Sequence, residues 1–331
     1  MFLGDQVPYN EEYLRFVRQM GVTHIDLFSV PNLGLEQDGY WHTDALLRAR
    51  EFTEKQGLVL AAMHLPLSSA GIEHQVWPHI MLGTAERDRD IEKVARSIKA
   101  AGKAGIPLLL YNLTLLPVLR TGTTMGRGGM IYSHFDYKRL PPAESMVDAS
   151  CTADVIWERI SYFIQRIIPI AEACHVKLGC HQHDPGLPDG MSYRGVTRVL
   201  GNLEGVRRFL ALSSSPYHGL NFCQGTITEM CTDPEQVYAA IDEFGSQKRI
   251  FWVHLRNIRG SLGYFDEVFP DEGVVDMRRA LLAYRAVGYD GVLVPDHVPH
   301  IIGDTPIGHR ARAYCFGYMR NLIETTAPEA K

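Results

Sequence analysis

Long apolar runs are missing from this sequence. No stretch approaches the roughly 20 apolar residues that cross a bilayer, and the opening segment MFLGDQVPYNEEYLRFVRQ has no basic portion followed by an apolar core. The expectation is a cytoplasmic protein with no membrane partner. Runs of like charge are missing as well: 33 Lys and Arg face 38 Asp and Glu, for a formal net charge of -5. That balance argues against nucleic acid as a general partner and leaves a small molecule as the default. Cysteine is sparse and scattered. Six residues (Cys151, Cys174, Cys180, Cys223, Cys231, Cys315) without a dense pairing framework suit a reducing compartment, and most are expected to pack as small hydrophobes. Internal repeats and low-complexity tracts are absent too.

What the chain does have is core material, with 46% of its 331 residues hydrophobic. Short apolar runs rich in β-branched and aromatic residues recur, each followed by a segment with helical periodicity, which is the pattern of βαβ units. Eight such strands are expected: MFLGD (1–5), THIDLF (23–28), LVLAAMH (58–64), IPLLLYN (106–112), VKLGCH (176–181), GLNFC (219–223), RIFWVH (249–254) and GVLVPD (291–296). Eight helical segments intervene, from NEEYLRFVRQM to a last one around ARAYCFGYMRNLIE, and several end in Gly as helix C-caps do. The pattern predicts a single (β/α)8 TIM barrel over residues 1–331, with its site at the C-terminal strand ends. Two loops exceed what a barrel needs, residues 66–84 after strand three and 116–148 after strand four, and both are expected to act as lids or specificity loops.

Within GCHQHDP (179–185), alternation along a strand turns Cys180 and His181 to opposite faces, so only His181 is expected to enter the barrel mouth. Cys223, His254 and Asp296 end the next three strands. Imidazole, thiolate, imidazole and carboxylate at equivalent depth are all metal-ligand types, and the thiolate points to a transition metal over Mg²⁺ or Ca²⁺. Ligand softness alone leaves Zn²⁺, Fe²⁺ and Mn²⁺ open. His297, directly after Asp296, is the candidate general acid/base, and Arg256, with its fork of donors, is the candidate partner for a substrate carboxylate. Further candidates for substrate contact are His64, Tyr111, Asn112, Arg120, His183, Asn257 and His309.

These residues resemble the mannonate dehydratase family of xylose isomerase-like barrels. The family's I-H-P-D-D-P corresponds to CHQHDP, its S-P-x-x-G-L-x-x-C-x-G-[ST] to SPYHGLNFCQGT, and its VHLRN is unchanged; GVVDM and VPDH follow the family order. The resemblance implies a divalent ion, Mn²⁺ or Fe²⁺, held by His181, Cys223, His254 and Asp296. It also implies loss of water from a sugar acid, D-mannonate giving 2-dehydro-3-deoxy-D-gluconate, with His297 in an acid/base role in hexuronate catabolism. A homo-oligomer is a general expectation for such barrels.

The departures fall on the substrate side. The family's PGYG element reads TPIGHRARAYCFG, with Ile307 at the tyrosine, and His309 or Tyr314 are candidate substitutes. PVFDWTRT becomes PVLRTGTT, which introduces Arg120; a family histidine is replaced near Pro270; and His183 stands where the family has an acidic residue. These changes point to mannonate or a related sugar acid. The rival readings are a metal-dependent sugar isomerase, epimerase or keto-sugar eliminase, and a non-catalytic sugar-binding barrel.

Overall fold

In the computed structural model, which describes residues 1–142, 144, 151–188 and 191–328, the strands are β1 (Phe2–Pro8), β2 (His24–Phe28), β3 (Val59–His64), β4 (Leu108–Tyr111), β5 (Gly122–Met125), β6 (Ile131–Asp136), β7 (Lys177–His181), β8 (His218–Cys223), β9 (Ile250–His254), β10 (Asn257–Ser261), β11 (Tyr264–Val268) and β12 (Val292–Val294). Eight of them close a parallel barrel in the order β1-β12-β9-β8-β7-β4-β3-β2, as the sequence pattern predicts. Helices such as Arg87–Lys103 and Ala153–Ala173 cover it from outside. Among the described residues no helix is long and apolar enough to cross a membrane.

Strand parity decides what each side chain meets. In β4, Leu108 and Leu110 fill the barrel lumen together with Ala62, Trp252 and Val294, while Leu109 and Tyr111 pack outward in the layer between sheet and helices. In β7, Leu178 and Cys180 belong to that outer layer and leave His181 inward. The outer layer is the main hydrophobic core, and it accounts for the apolar face of each helix.

Two features depart from the sequence reading. The strand β12 ends at Val294, so Asp296 lies two residues beyond it, in a left-handed backbone conformation (φ 59°) that Asp tolerates better than most residues. Arg312 of the last helix donates to the Asp296 carbonyl at 3.1 Å and to Asp5 Oδ1 at 2.6 Å, which fixes that turn against β1. The second departure concerns the loop after β4. It contributes β5 and β6 to a four-stranded antiparallel sheet, β10-β11-β6-β5, whose other half comes from the chain after β9. Its apolar face buries Leu119, Phe135, Leu187, Ile258 and Phe265. Residues 143 and 145–148 of that loop lie outside the described residues.

One buried histidine ties stability to pH. His218, at the start of β8, donates from Nε2 to the Phe209 carbonyl at 2.9 Å with its ring 4.5 Å from the Phe209 ring. Burial, despite this bond to Phe209, pushes its pKa down to about 4. Between about pH 6.5 and 4 the unfolded chain binds a proton here that the native state refuses. The barrel is therefore expected to lose about 3 kcal/mol as pH falls through this window. Urea-unfolding free energies of the parent should fall across it, and those of His218→Leu should fall with a slope smaller by up to one proton.

Candidate metal centre

Four side chains converge at the C-terminal mouth of the barrel. His181, Cys223 and His254 come from the last residues of β7, β8 and β9, and Asp296 from the turn after β12; one ligand atom from each lies within 4.8 Å of the others. His181 donates from Nδ1 to the Gln182 carbonyl at 2.6 Å, so its Nε2 keeps the lone pair. His254 is 2% exposed and neither ring nitrogen makes a hydrogen bond, although Nδ1 lies 3.3 Å from Asp296 Oδ2. A buried imidazole left this way is costly unless something else takes the lone pair.

The charges suit a cation. Burial opposes ionisation of Cys223, but the Arg256 guanidinium, with His181 and His254, outweighs it and holds the thiol well below its ordinary value. Thr226 adds two donors to the same sulfur, its amide at 3.4 Å and its hydroxyl at 3.1 Å. Asp296 is likewise kept ionised against burial by His254 and His297. Two imidazoles, a thiolate and a carboxylate, with an orphaned ring nitrogen among them, fit a divalent transition metal.

Behind the ligands lies a buried ion cluster that the sequence reading did not anticipate. Arg256 is 1% exposed, and its Nη1 bonds Glu229 Oε1 at 2.8 Å and Glu267 Oε1 at 2.5 Å. Its Nη2 bonds Asp184 Oδ2 at 2.8 Å and Thr226 Oγ1 at 3.0 Å, and lies 3.4 Å from Cys223 Sγ. The expected role of Arg256 as a substrate-carboxylate partner is thus corrected: its terminal Nη1 and Nη2 donors are spent inside the protein. Gly225 permits this arrangement, since a Cβ there would stand 2.7 Å from Arg256 Nε. Arg120 sits on the same acids, with Nη1 2.6 Å from Asp184 Oδ1 and Nη2 bonded to Glu267. Burial works against ionisation of Asp184, but Arg120 and Arg256 hold its carboxyl well below the usual range; burial and the neighbouring Asp184 push Glu229 up. Neither Glu229 nor Glu267 lies in a motif. A buried arginine's need for counter-charges was their only signal.

Glu267 also accepts a 2.7 Å hydrogen bond from His297 Nδ1. His297 is 41% exposed and borders two adjoining cavities. The first, about 390 Å³, reaches the four ligands and is also lined by His64, Asn112 and Asn221. The second, about 360 Å³, contains Arg120, Arg312 and Ile307. Burial disfavours protonated His297, but Asp296 and Glu267 raise its pKa to about 9.

Other candidates lie elsewhere. Tyr111 points outward against Phe163 and the Cys180 thiol, as its parity in β4 demands. His183 is buried, donates from Nε2 to the Leu113 carbonyl at 2.8 Å and accepts from the Leu200 amide at 3.3 Å; burial pushes it down to about 3, so it is a neutral structural residue. Asn257 ties the Pro270 and Val275 carbonyls together at 2.9 Å each. His309 stacks near Tyr13 and Phe16 at the start of the last helix, and Tyr314 packs on Phe269. None of these five lines the cavity at the metal ligands.

Residues 147–331 match the family model described as D-mannonate dehydratase (UxuA). A mannonate dehydratase of Thermotoga maritima is 28% identical over 303 residues, covering 80% of this chain and 79% of that protein. Mannonate dehydratase 1 of Halalkalibacterium halodurans is 31% identical over 258 residues, covering 67% and 69%. Among solved structures, mannonate dehydratase from Streptococcus suis serotype 2 superposes with a TM-score of 0.83 at 24% identity, covering 98% of this chain and 93% of that one. A xylose isomerase domain protein from Planctomyces limnophilus superposes at 0.63 with 12% identity, covering 98% of each chain, which reports the shared barrel alone.

Two outcomes are expected from this geometry. Cys223→Ala and His254→Ala are each expected to lose stoichiometric bound metal, read by elemental analysis after loading and desalting. Arg256→Met strands three buried acids and should destabilise the fold by at least about 3 kcal/mol in urea unfolding, whereas an arginine held only for substrate would leave the unfolding midpoint in place.

Proposed function

The chain belongs to the D-mannonate dehydratase family, and on that premise we propose that it removes water from an aldonic acid, D-mannonate or a close relative, at a divalent centre held by His181, Cys223, His254 and Asp296. The class of reaction is that of a hydro-lyase acting on a sugar acid. The carrying observation is the convergence of these four ligands beside His297, whose Nδ1 is fixed by Glu267. We assign Mn²⁺ or Fe²⁺ as the ion, in keeping with the mixed nitrogen, sulfur and oxygen donor set.

The proton next to a carboxylate is weakly acidic, and its removal concentrates negative charge on the carboxylate side. A bound divalent cation supplies Lewis-acid stabilisation of that charge. The protein's own part is to place a base and an acid. His297, following Asp296 and gripped at Nδ1 by Glu267, keeps its Nε2 edge for proton exchange at the cavity wall. Arg256 and Arg120 act indirectly, by holding Asp184 and Glu267 ionised so that the wall behind His297 stays charged and rigid. Asn112, Asn221 and His64 offer hydrogen-bonding groups for the sugar hydroxyls.

An isomerase or epimerase reading is less favoured. Barrels described as D-tagatose 3-epimerase-like or L-ribulose 3-epimerase are 14% identical to this chain and report only its fold.

Metal-loaded protein incubated with a panel of aldonic acids should release a 2-keto-3-deoxy product from at least one of them, and chelation should abolish this. Failure with every acid would remove the reading. His297→Gln is expected to lower kcat by about 10²–10⁴-fold, measured as product formation at saturating substrate.

A further inference from the structure

Dehydration moves two protons, one off carbon and one onto the departing oxygen, and Ile307 cannot carry either. The replacements that the sequence suggested, His309 and Tyr314, stand away from the cavity. The wall facing the metal ligands does contain a second proton carrier. In the closed barrel β3 lies diametrically opposite β9, and His64, the last residue of β3, lines the cavity with 21% of its side chain exposed. Its Nε2 lies 2.9 Å from Oδ1 of Asp26, an inward residue of β2 with no exposed surface. The Gln6 amide of β1 approaches the same nitrogen at 2.8 Å. No well-aligned hydrogen-bond donor serves either Asp26 oxygen, so the His64 ring is the group placed to offset burial of this carboxylate. The other ring nitrogen, Nδ1, has no hydrogen bond within the described residues. The Asp26 carboxylate lies beside Nε2 without an aligned hydrogen bond, and Nδ1 is the nitrogen left to exchange a proton.

We propose that Asp26 and His64 form the second proton-transfer element of the site, His64 protonating the departing hydroxyl while His297 accepts the proton from carbon. The assignment rests on the dehydratase reading. The carboxylate of the substrate belongs at the metal ligands, so the adjacent C2–H lies near His297, which follows the ligand Asp296. The hydroxyl on C3 is one bond farther along the chain, toward β3. His297 in its neutral form takes the C2 proton and the C–H electron pair passes into the carboxylate as an enediolate; the pair then forms the C2=C3 bond as the C3–O bond breaks with its pair on oxygen. His64 gives that oxygen a proton and water leaves. The enol so formed ketonises by transferring its hydroxyl proton to C3, and His297 returns its proton through solvent to His64, so one water is lost and both histidines are restored. Asp26 acts as a positioning residue.

The test uses the manganese-loaded full-length protein and the aldonic acid that the parent dehydrates. His64→Gln is expected to lose about 100-fold or more in kcat and Asp26→Asn about tenfold or more, with KM within about threefold and bound metal equal to the parent's. In D₂O, exchange of the substrate C2 hydrogen should persist in H64Q and vanish in His297→Gln. His64→Ala should regain turnover with added imidazole. A kcat in H64Q within about fivefold of the parent, loss of C2 exchange together with dehydration in H64Q, or no imidazole rescue in H64A overturns the assignment. A parent that forms no 2-keto-3-deoxy product from any aldonic acid overturns the dehydratase reading and this pair with it, and the parent assay separates the two failures.

Discussion

Burying the Arg256 guanidinium is the constraint around which the rest of the site is organised. A desolvated cation is tolerable only when acids close on it from several sides. Here they come from the loop after β7 (Asp184), the short helix Gln224–Glu229 (Glu229), β11 (Glu267) and the turn after β12, where Asp296 Oδ2 lies 3.3 Å from Nε. These segments are far apart in the chain. The same guanidinium lowers the Cys223 thiol, so one buried cation both fixes the mutual position of four segments and prepares a metal ligand.

The barrel was legible because its signal is local. Each strand is a short apolar run, each helix has a 3.6-residue stripe, and the eight-fold alternation admits few architectures. His181, Cys223 and His254 were legible for the same reason, since a residue that ends a barrel strand with inward parity faces the mouth. Tyr111 shows how that reading fails: it sits at a strand end, but one residue out of phase with the inward Leu108 and Leu110, so its hydroxyl meets Cys180 instead of the cavity. Arg256 shows another failure. Its partners come from distant segments, and nothing near it in sequence indicates that its terminal donors are already taken.

The antiparallel sheet was illegible for a related reason. Its β10–β11 hairpin has a local mark, the two-residue Leu262-Gly263 turn with Gly263 at φ 83°. The decisive pairing is between β6 and β11, where Asp266 faces His134, 132 residues earlier, and accepts its Nδ1 hydrogen at 2.8 Å. No window of sequence contains both strands.

That long-range pairing divides the machinery between two assemblies. The barrel carries the four ligands, while Glu267, which orients His297 and neutralises Arg256, arrives on a sheet formed from two loops. A chain whose barrel has closed but whose loops are still unpaired would already present a metal cage, yet His297 would swing free and Arg256 would lack one counter-charge. Proton chemistry, unlike metal binding, is then a property of the completely wound chain.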